Sequence, residues 1–206
     1  MMSSRRAFFE SGLRKAGQTA VKAAEAHVTR RAARWIRPPF ALDELEFLLA
    51  CTRCGACIDA CPHQVIFPLS ARLGARVAGT PALDLLNKGC HLCAAWPCVA
   101  VCEPGALKTP EAASGEPVLP RVAVAKIDTD TCLPYLGPEC GACAESCPVP
   151  GAMRWEQSRP RIDPGQCVGC ALCREGCILE QKAIHVAARV QREHQSLAAT
   201  IISKRD

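Results

Sequence analysis

The sequence is poor in the side chains that usually fill a protein core. Only 4% of its 206 residues are aromatic, and Leu, Ile, Val and Phe together make up 45 residues, about 22%, which is close to the level at which a chain struggles to fill a core. Long apolar runs are also missing: the longest uncharged ones, such as residues 47–51 and 198–202, fall far short of the roughly 18 residues of a membrane span. We therefore expect no transmembrane span, and we expect something besides aliphatic packing to hold the fold.

The excess of positive over negative charge lies at the start of the chain. Residues 1–37 hold nine Lys and Arg against two acids, whereas the remaining residues hold 16 against 18. The body is therefore slightly acidic, although the net charge of the chain is +5. It has no stripe of Lys and Arg interleaved with aromatic residues, the pattern expected of a nucleic-acid surface. The sequence thus argues against a nucleic-acid partner.

Cysteine, in contrast, is abundant, with 16 residues in the chain. By spacing, the cysteines form four complete motifs: Cys51, Cys54, Cys57 and Cys61; Cys90, Cys93, Cys98 and Cys102; Cys132, Cys140, Cys143 and Cys147; Cys167, Cys170, Cys173 and Cys177. The first motif is C-x2-C-x2-C-x3-C-P, the fourth repeats it without the proline, and the middle two carry insertions. In bacterial ferredoxins this run places three cysteines on one cubane cluster and the fourth on the neighbouring cluster.

Two other uses of cysteine explain the spacing less well. Structural zinc sites usually pair two CxxC halves across a longer loop. A disulfide framework is compatible with an even number of cysteines, but it does not explain a spacing that recurs four times. We therefore expect the sixteen cysteines to ligate four [4Fe-4S] clusters. No free thiol then remains for nucleophilic catalysis, and we expect an electron carrier without a substrate site of its own.

The segments between the motifs indicate how the chain is organised. Residues 122–128 (VAVAKID) and 159–163 (RPRID) are short extended runs that end in Asp shortly before the next cysteine, and both predict strands. Loop, short helix and strand then alternate, which predicts an α+β fold of tandem bacterial ferredoxin-like dicluster modules. The predicted division is a basic arm at 1–40, modules at 41–109 and 123–188, a linker at 110–122 and a tail at 189–206.

Two pairings of the motifs use the same sixteen ligands. Local pairing, which we favour, gives the sets Cys51, Cys54, Cys57 and Cys102; Cys61, Cys90, Cys93 and Cys98; Cys132, Cys140, Cys143 and Cys177; and Cys147, Cys167, Cys170 and Cys173. Nested pairing joins the first motif to the fourth and the second to the third, as in the four-cluster subunits of molybdenum oxidoreductases, whose second motif resembles CHLCAAWPCVAVCEPGA. Both alternatives stay open at this point.

Residues beside the cysteines have expected supporting roles. Small residues let backbone amides approach the sulfurs and tune the cluster potentials; they are Gly55, Ala56, Gly141, Ala142, Gly169 and Ala171. Trp96 and Tyr135 lie in the two insertions, where we expect them to shield a cluster from water. His63 and His91 are expected to be surface residues, because every motif already has four cysteines.

Taken in order, these segments resemble the ferredoxins of periplasmic nitrate reduction and methylamine utilisation called NapG and MauM. The resemblance rests on RPPFALDELEFLLACTRCGACIDACP, CHLCAAWPCVAVCEPGAL, CLPYLGPECGACAESCP and CVGCALCREGCILEQKAI, and it covers residues 37 to about 187. It implies four [4Fe-4S] clusters and a relay of electrons between a membrane quinol-oxidising partner and a redox enzyme. Residue by residue, only the cysteines are carried over.

The N-terminal arm departs from that family. Residues 4–9 (SRRAFF) look like a twin-arginine box, but charged residues recur through residues 10–37, where an export signal needs an uninterrupted apolar stretch. We therefore expect a cytoplasmic protein, with twin-arginine export to the periplasm as the alternative; the related NapF ferredoxins also begin with Arg-Arg and stay in the cytoplasm.

Apolar residues recur three or four apart from Leu13 to Trp35, which predicts an amphipathic helix in the arm. Its apolar face either covers the protein's own modules or docks a partner or membrane surface. The leading functional hypothesis for the whole chain is an electron-transfer protein that works with redox partners. The alternatives are a permanent wiring subunit of a larger oxidoreductase and a maturation factor for a redox enzyme.

Overall fold

The structure is a computed structural model that describes residues 35–110 and 118–189. Short helices and two-stranded sheets alternate along it, which confirms the predicted α+β class. The predicted helix of the arm lies outside the described residues, as do residues 111–117 of the linker and residues 190–206 of the tail. In the part of the chain that is described, no helix is long and apolar enough to cross a membrane.

The first half of the described chain contains three helices and one small sheet. Helix α1 spans Glu44–Ala50, α2 spans Ala56–Asp59 and α3 spans Pro97–Ala100, with a 3-10 turn at Ala71–Leu73. Strands β1 (Ile66–Pro68) and β2 (Pro81–Leu83) are antiparallel, with Ile66 opposite Leu83. An isolated bridge between Ala41 and Leu107 brings the two ends of this half together.

The second half contains four strands and two helices. Its elements are β3 (Ala123–Ile127), α4 (Leu133–Leu136), a 3-10 turn (Ala144–Ser146), β4 (Met153–Glu156), β5 (Arg159–Ile162), α5 (Leu172–Glu175) and β6 (Ile184–Ala188). Strands β3 and β6 pair antiparallel from Ala123 opposite Ala188 to Ile127 opposite Ile184, so the ends of this half also meet. The strands predicted at residues 122–128 and 159–163 are confirmed as β3 and β5, whereas β4 and β6 were not among the predicted segments.

A small apolar core lies mainly in the first half. Phe47 of α1 is fully buried and packs in one cluster with Val65, Leu85 and Leu107. That cluster extends into the second half through Ala171, through Val122 and through Ala123, the first residue of β3. The remaining buried apolar residues form two smaller clusters around cysteines, as expected of a chain with few large aliphatic side chains.

A buried ion pair fixes the chain just before α1. Arg37 donates from Nε to Glu44 Oε2 at 2.9 Å and from Nη2 to Glu44 Oε1 at 2.6 Å. Its Nη1 donates to Thr80 Oγ1 at 2.9 Å and to the carbonyl of Pro81 at 2.8 Å. The guanidinium therefore joins the entry segment, α1 and β2, with its planar fork matched to a carboxylate.

The two halves touch through the chain around the second motif. The N–H of Cys90 donates to the carbonyl of Cys170 at 2.7 Å, and the N–H of Gly89 donates to Glu175 Oε2 at 2.7 Å. Gly89 is buried, and a Cβ at this position would lie 2.7 to 2.8 Å from three atoms of Leu172, two of them backbone. Only glycine therefore lets the two segments approach this closely.

Candidate iron-sulfur centres

Each cysteine motif is built around one helical turn. The third cysteine lies in or at the start of a short helix, and the fourth follows that helix by one or two residues: Cys57 and Cys61 with α2, Cys98 and Cys102 with α3, Cys143 and Cys147 with the 3-10 turn, and Cys173 and Cys177 with α5. The third and fourth thiols therefore leave opposite ends of one turn. This explains how a single motif serves two different cavities.

Four cavities contain the sixteen thiols, four to each cavity. We name them the first site (Cys51, Cys54, Cys57, Cys102), the second site (Cys61, Cys90, Cys93, Cys98), the third site (Cys132, Cys140, Cys143, Cys177) and the fourth site (Cys147, Cys167, Cys170, Cys173). The space not filled by protein is about 330 Å³ at the fourth site and about 400 Å³ at the first. The structure thus brings together the cysteine sets of local pairing: Cys102 lies with the first motif and Cys177 with the third.

Residues with a left-handed backbone conformation flank the second cysteine of the first motif and of the fourth. Arg53 and Gly55 flank Cys54 with φ of 61° and 84°, and Gly169 and Ala171 flank Cys170 with φ of 74° and 66°. Such alternation turns successive N–H groups to one side and forms a concavity that binds anions, including iron-sulfur groups. Three of these residues are small, as predicted for close approach of the backbone, but Arg53 is not.

Backbone N–H groups also reach individual sulfurs. The N–H of Leu107 donates to Cys102 Sγ at 3.3 Å. Hydrogen bonds from the N–H groups of Leu92 and Leu172 lower the pKa values of Cys90 and Cys170, but burial outweighs them and both pKa values are raised. These donors favour negative charge on sulfur, which is the charge that an iron ligand carries.

Burial raises the pKa of several thiols. The pKa of Cys57 rises to about 11 because of burial and then because of the nearby Cys102, Cys51 and Cys54. Burial, reinforced by cysteines of the same site, raises the pKa to about 12 at Cys98 and Cys173 and to about 11 at Cys143 and Cys170. Four thiolates this close to one another need a strongly positive group between them, because their charges repel.

The four sites form a row across the two halves. Cys57 of the first site is close enough to raise the pKa of Cys98 in the second site, after burial and two cysteines of that site. Cys90 of the second site has the same effect on Cys170 of the fourth, and Cys143 of the third site has it on Cys173 of the fourth. Packing agrees: Cys57 and Cys98 share one apolar cluster, Cys143 and Cys173 share another, and the N–H of Cys90 donates to the carbonyl of Cys170. Neighbouring sites therefore follow the order first, second, fourth, third.

Aromatic residues line three of the sites, and Phe47 is the one at the first site. Trp96 lines the second site and meets Phe40 edge to face, with ring centroids 5.0 Å apart. Tyr135 is not among the residues that line the third site; its hydroxyl donates to the carbonyl of Pro160 at 2.8 Å. Trp155 of β4 lines the third site instead. Sequence reasoning missed Trp155, because only the strand pairing brings it near the cysteines.

The two histidines beside the cysteines stack on one another. The ring centroids of His63 and His91 are 3.5 Å apart and the rings are nearly parallel, at 7°. His91 is exposed and His63 is partly exposed, close to the surface position expected. Both also line the second site, so they form part of its outer wall.

The donor set of each cavity suits an iron-sulfur cluster. Four thiols surround each space, and most of the other lining residues are apolar. In the described ranges, no three His, Cys, Asp or Glu side chains are placed to hold a single metal ion. Thiolate ligation by four cysteines is the usual ligand set of a [4Fe-4S] cluster.

Comparisons with known proteins agree with this chemistry. A family model described as a 4Fe-4S binding domain matches residues 49–67. The methylamine utilization ferredoxin-type protein MauM of Methylobacillus flagellatus is 33% identical, over 77% of this chain and 70% of its own length. The ferredoxin-type protein NapG of Escherichia coli is 32% identical, over 89% of this chain and 85% of its own length.

The chain belongs to the ferredoxin-type protein family of MauM and NapG. The ferredoxin-type protein NapF of Escherichia coli is also similar, with 33% identity over 72% of this chain and 83% of its own length. No solved structure matches this chain. The resemblance found in the cysteine motifs is thereby confirmed, and so is the assignment of the chain to iron-sulfur electron-transfer proteins.

Proposed function

We propose that this chain relays single electrons through four [4Fe-4S] clusters, one at each site. The observation that carries the proposal is that every cavity is lined by one complete local set of four cysteines, with no cysteine left over. When bound, the clusters supply one-electron redox chemistry. The sixteen cysteines hold them, and the apolar walls and backbone N–H groups set how far each potential is shifted.

The row of sites supports a single path for the electron. It runs from the first site to the second, across the contact between Cys90 and Cys170 to the fourth site, and ends at the third. At one end Cys54 is exposed, and at the other Ile178, which lines the third site, is 68% exposed. Each end is thus open to a protein partner. Each half acts in this proposal as one dicluster module, the first over residues 41–109 and the second over residues 123–188, because the bridge and the strand pairing bring the ends of each half together.

The chain acts in this proposal as a carrier and not as an enzyme. In this proposal the four cysteine-lined cavities hold clusters and not substrates. Its relatives are named for methylamine utilization and as ferredoxin-type proteins NapG and NapF. We infer redox protein partners of the same kind, with a quinol-oxidising membrane protein as donor and an oxidoreductase as acceptor. We place the protein in the cytoplasm, with the periplasm as the alternative.

Paired substitutions test the ligand sets. Cys51→Ala and Cys102→Ala each remove a ligand of the first site, so each variant is expected to retain about 12 of 16 iron atoms and to lose the same electron paramagnetic resonance signal. The double variant is expected to match the single ones, because both changes affect one cluster. Iron content after anaerobic purification measures this.

The matched control combines Cys51→Ala with Cys177→Ala. Those residues lie in the first and third sites, so this double variant is expected to lose two clusters and retain about 8 iron atoms. Nested pairing predicts the reverse, with the larger loss in the Cys51 and Cys102 double variant. That reversal would contradict the local sets, and iron content that does not respond to any of these changes would contradict cluster binding.

A further inference from the structure

The indole N–H of Trp155 is a feature of the third site that ligation by cysteine leaves unexplained. Its Nε1 atom is buried, and within the described ranges it is the one buried side-chain nitrogen or oxygen that has no hydrogen-bond partner. A buried donor without an acceptor is destabilising, and native proteins rarely leave one unpaired. An acceptor for this N–H is therefore expected when the third site holds its cluster.

The wall of the third site limits what that acceptor is. Its lining side chains are apolar, aromatic or cysteine, so the four cysteines are the only lining side chains that carry an acceptor atom. None of the four sulfurs is bonded to Trp155. A sulfur of the group that these cysteines would hold is an acceptor that the lining side chains themselves do not supply.

The hairpin of β4 and β5 holds Trp155 at this wall. Gln157 and Ser158 both have positive φ, 51° and 61°, and link the strands in a two-residue turn. The turn sets Trp155 opposite Pro160, and both residues line the third site. Along β4 the partly buried Met153 and Trp155 alternate with exposed residues. The indole therefore lies on the face of the strand that is turned away from solvent.

The loop of the third site lacks the left-handed residues that flank cysteines of the first and fourth sites. Between Cys140 and Cys143 no described residue has positive φ, whereas left-handed residues flank Cys54 and Cys170. The alternation that turns N–H groups toward an anion is absent from this loop. A side-chain donor at the third site would replace what the backbone supplies at the first and fourth.

We propose that the Trp155 N–H donates a hydrogen bond to a sulfur of the cluster at the third site and raises the reduction potential of that cluster. This inference rests on the proposed function. The reduced cluster carries one more negative charge than the oxidised one, so a donor to sulfur stabilises the reduced state. Because the third site ends the row, its potential affects the driving force for electron exchange with a partner at that end.

The test is a redox titration of the Trp155→Phe holoprotein, followed by electron paramagnetic resonance. Phe keeps most of the ring and removes the donor, so iron content is expected to be unchanged while the midpoint potential of one cluster falls. The cluster that shifts is identified as the one lost in Cys140→Ala. Trp96→Phe is the matched control, since Trp96 lines the second site, and it is expected to leave the third-site potential unchanged.

A second measurement uses isotope labelling. Holoprotein with ¹⁵N in the indole nitrogen of tryptophan is expected to show, by pulsed electron paramagnetic resonance, a ¹⁵N coupling to a reduced cluster that equally labelled Trp155→Phe lacks. Absence of that coupling, together with equal midpoint potentials in wild type and Trp155→Phe, would overturn the inference and leave the relay intact. A wild-type chain that forms no cluster at the third site would overturn both.

Discussion

Two glycines beside cysteines place different demands on the backbone. Gly169 has a φ of 74°, and a Cβ there would overlap the carbonyl of Ala123 at the start of β3. Gly141 does not have a positive φ, and nothing lies within 4 Å of its Cβ position. The first glycine is required by both conformation and space, whereas the second is required by neither.

Gly169→Ala is accordingly expected to destabilise the protein by more than about 1 kcal/mol. Gly141→Ala, the same change next to another cysteine, is expected to have little effect. The guanidinium concentration at which the visible cluster absorbance is half lost measures both. Equal midpoints for the two variants would contradict the distinction between these glycines.

The sequence could indicate which residues flank the cysteines but not what each one does. Gly141 follows the second cysteine of its motif and Gly169 precedes the second cysteine of its own, and both were predicted to admit backbone amides to sulfur. The difference depends on β3, which comes from a distant part of the chain and packs against Gly169 but not against Gly141. Trp155 was missed for the same reason, since its role depends on a strand pairing.

Among the elements, α1 and β2 depend on one ion pair. The side chains of Arg37 and Glu44 are 9% and 10% exposed, and the guanidinium also bonds to Thr80 and Pro81. Removal of one partner would leave a buried charge without a counter-ion. Such a loss is far more costly than the loss of an exposed pair.

Arg37→Ala is expected to destabilise the protein by about 3 to 5 kcal/mol. The matched control is Arg161→Ala, which breaks the pair of Arg161 with Glu156, whose side chains are 65% and 57% exposed; its expected cost is at most about 1 kcal/mol. Chemical unfolding followed by circular dichroism measures both. The account of α1 is wrong if Arg37→Ala is no more costly than Arg161→Ala.

Element prediction succeeded where the pattern was local. Residues 122–128 and 159–163 showed extended runs and became β3 and β5. Strand β4 was missed because the turn at Gln157 and Ser158 is not one of the usual hairpin dipeptides such as Asn-Gly. The motif spacing also predicted that the fourth cysteine serves a neighbouring cluster, but spacing alone does not say which neighbour. The bridge of Ala41 to Leu107 and the pairing of β3 with β6 bring the ends of each half together, which favours the local sets.

At the scale of the whole molecule, the contact between the halves decides whether the four sites of the proposed relay form one electron path. The N–H of Cys90 in the second site donates to the carbonyl of Cys170 in the fourth, and Glu175 accepts from the N–H of Gly89. Electron tunnelling falls steeply with distance. A small separation of the halves would therefore divide the relay into two.

Gly89→Ala is expected to separate the halves, because its Cβ would lie 2.7 Å from Leu172 Cδ2. Iron content should remain that of the wild type, while magnetic coupling between the reduced clusters of the two halves is lost. Gly141→Ala again serves as the control and should keep the coupling. An unchanged coupled spectrum in Gly89→Ala would show that electrons cross elsewhere.

The most direct test of the central claim is the iron and acid-labile sulfide content of the anaerobically purified chain, with electron paramagnetic resonance of its reduced state. Four cavities with four thiols each predict about 16 iron and 16 sulfide per chain and coupled cubane signals. A content of about 8 iron or fewer, with zinc or disulfides in place of the rest, would contradict the claim that all four sites hold clusters.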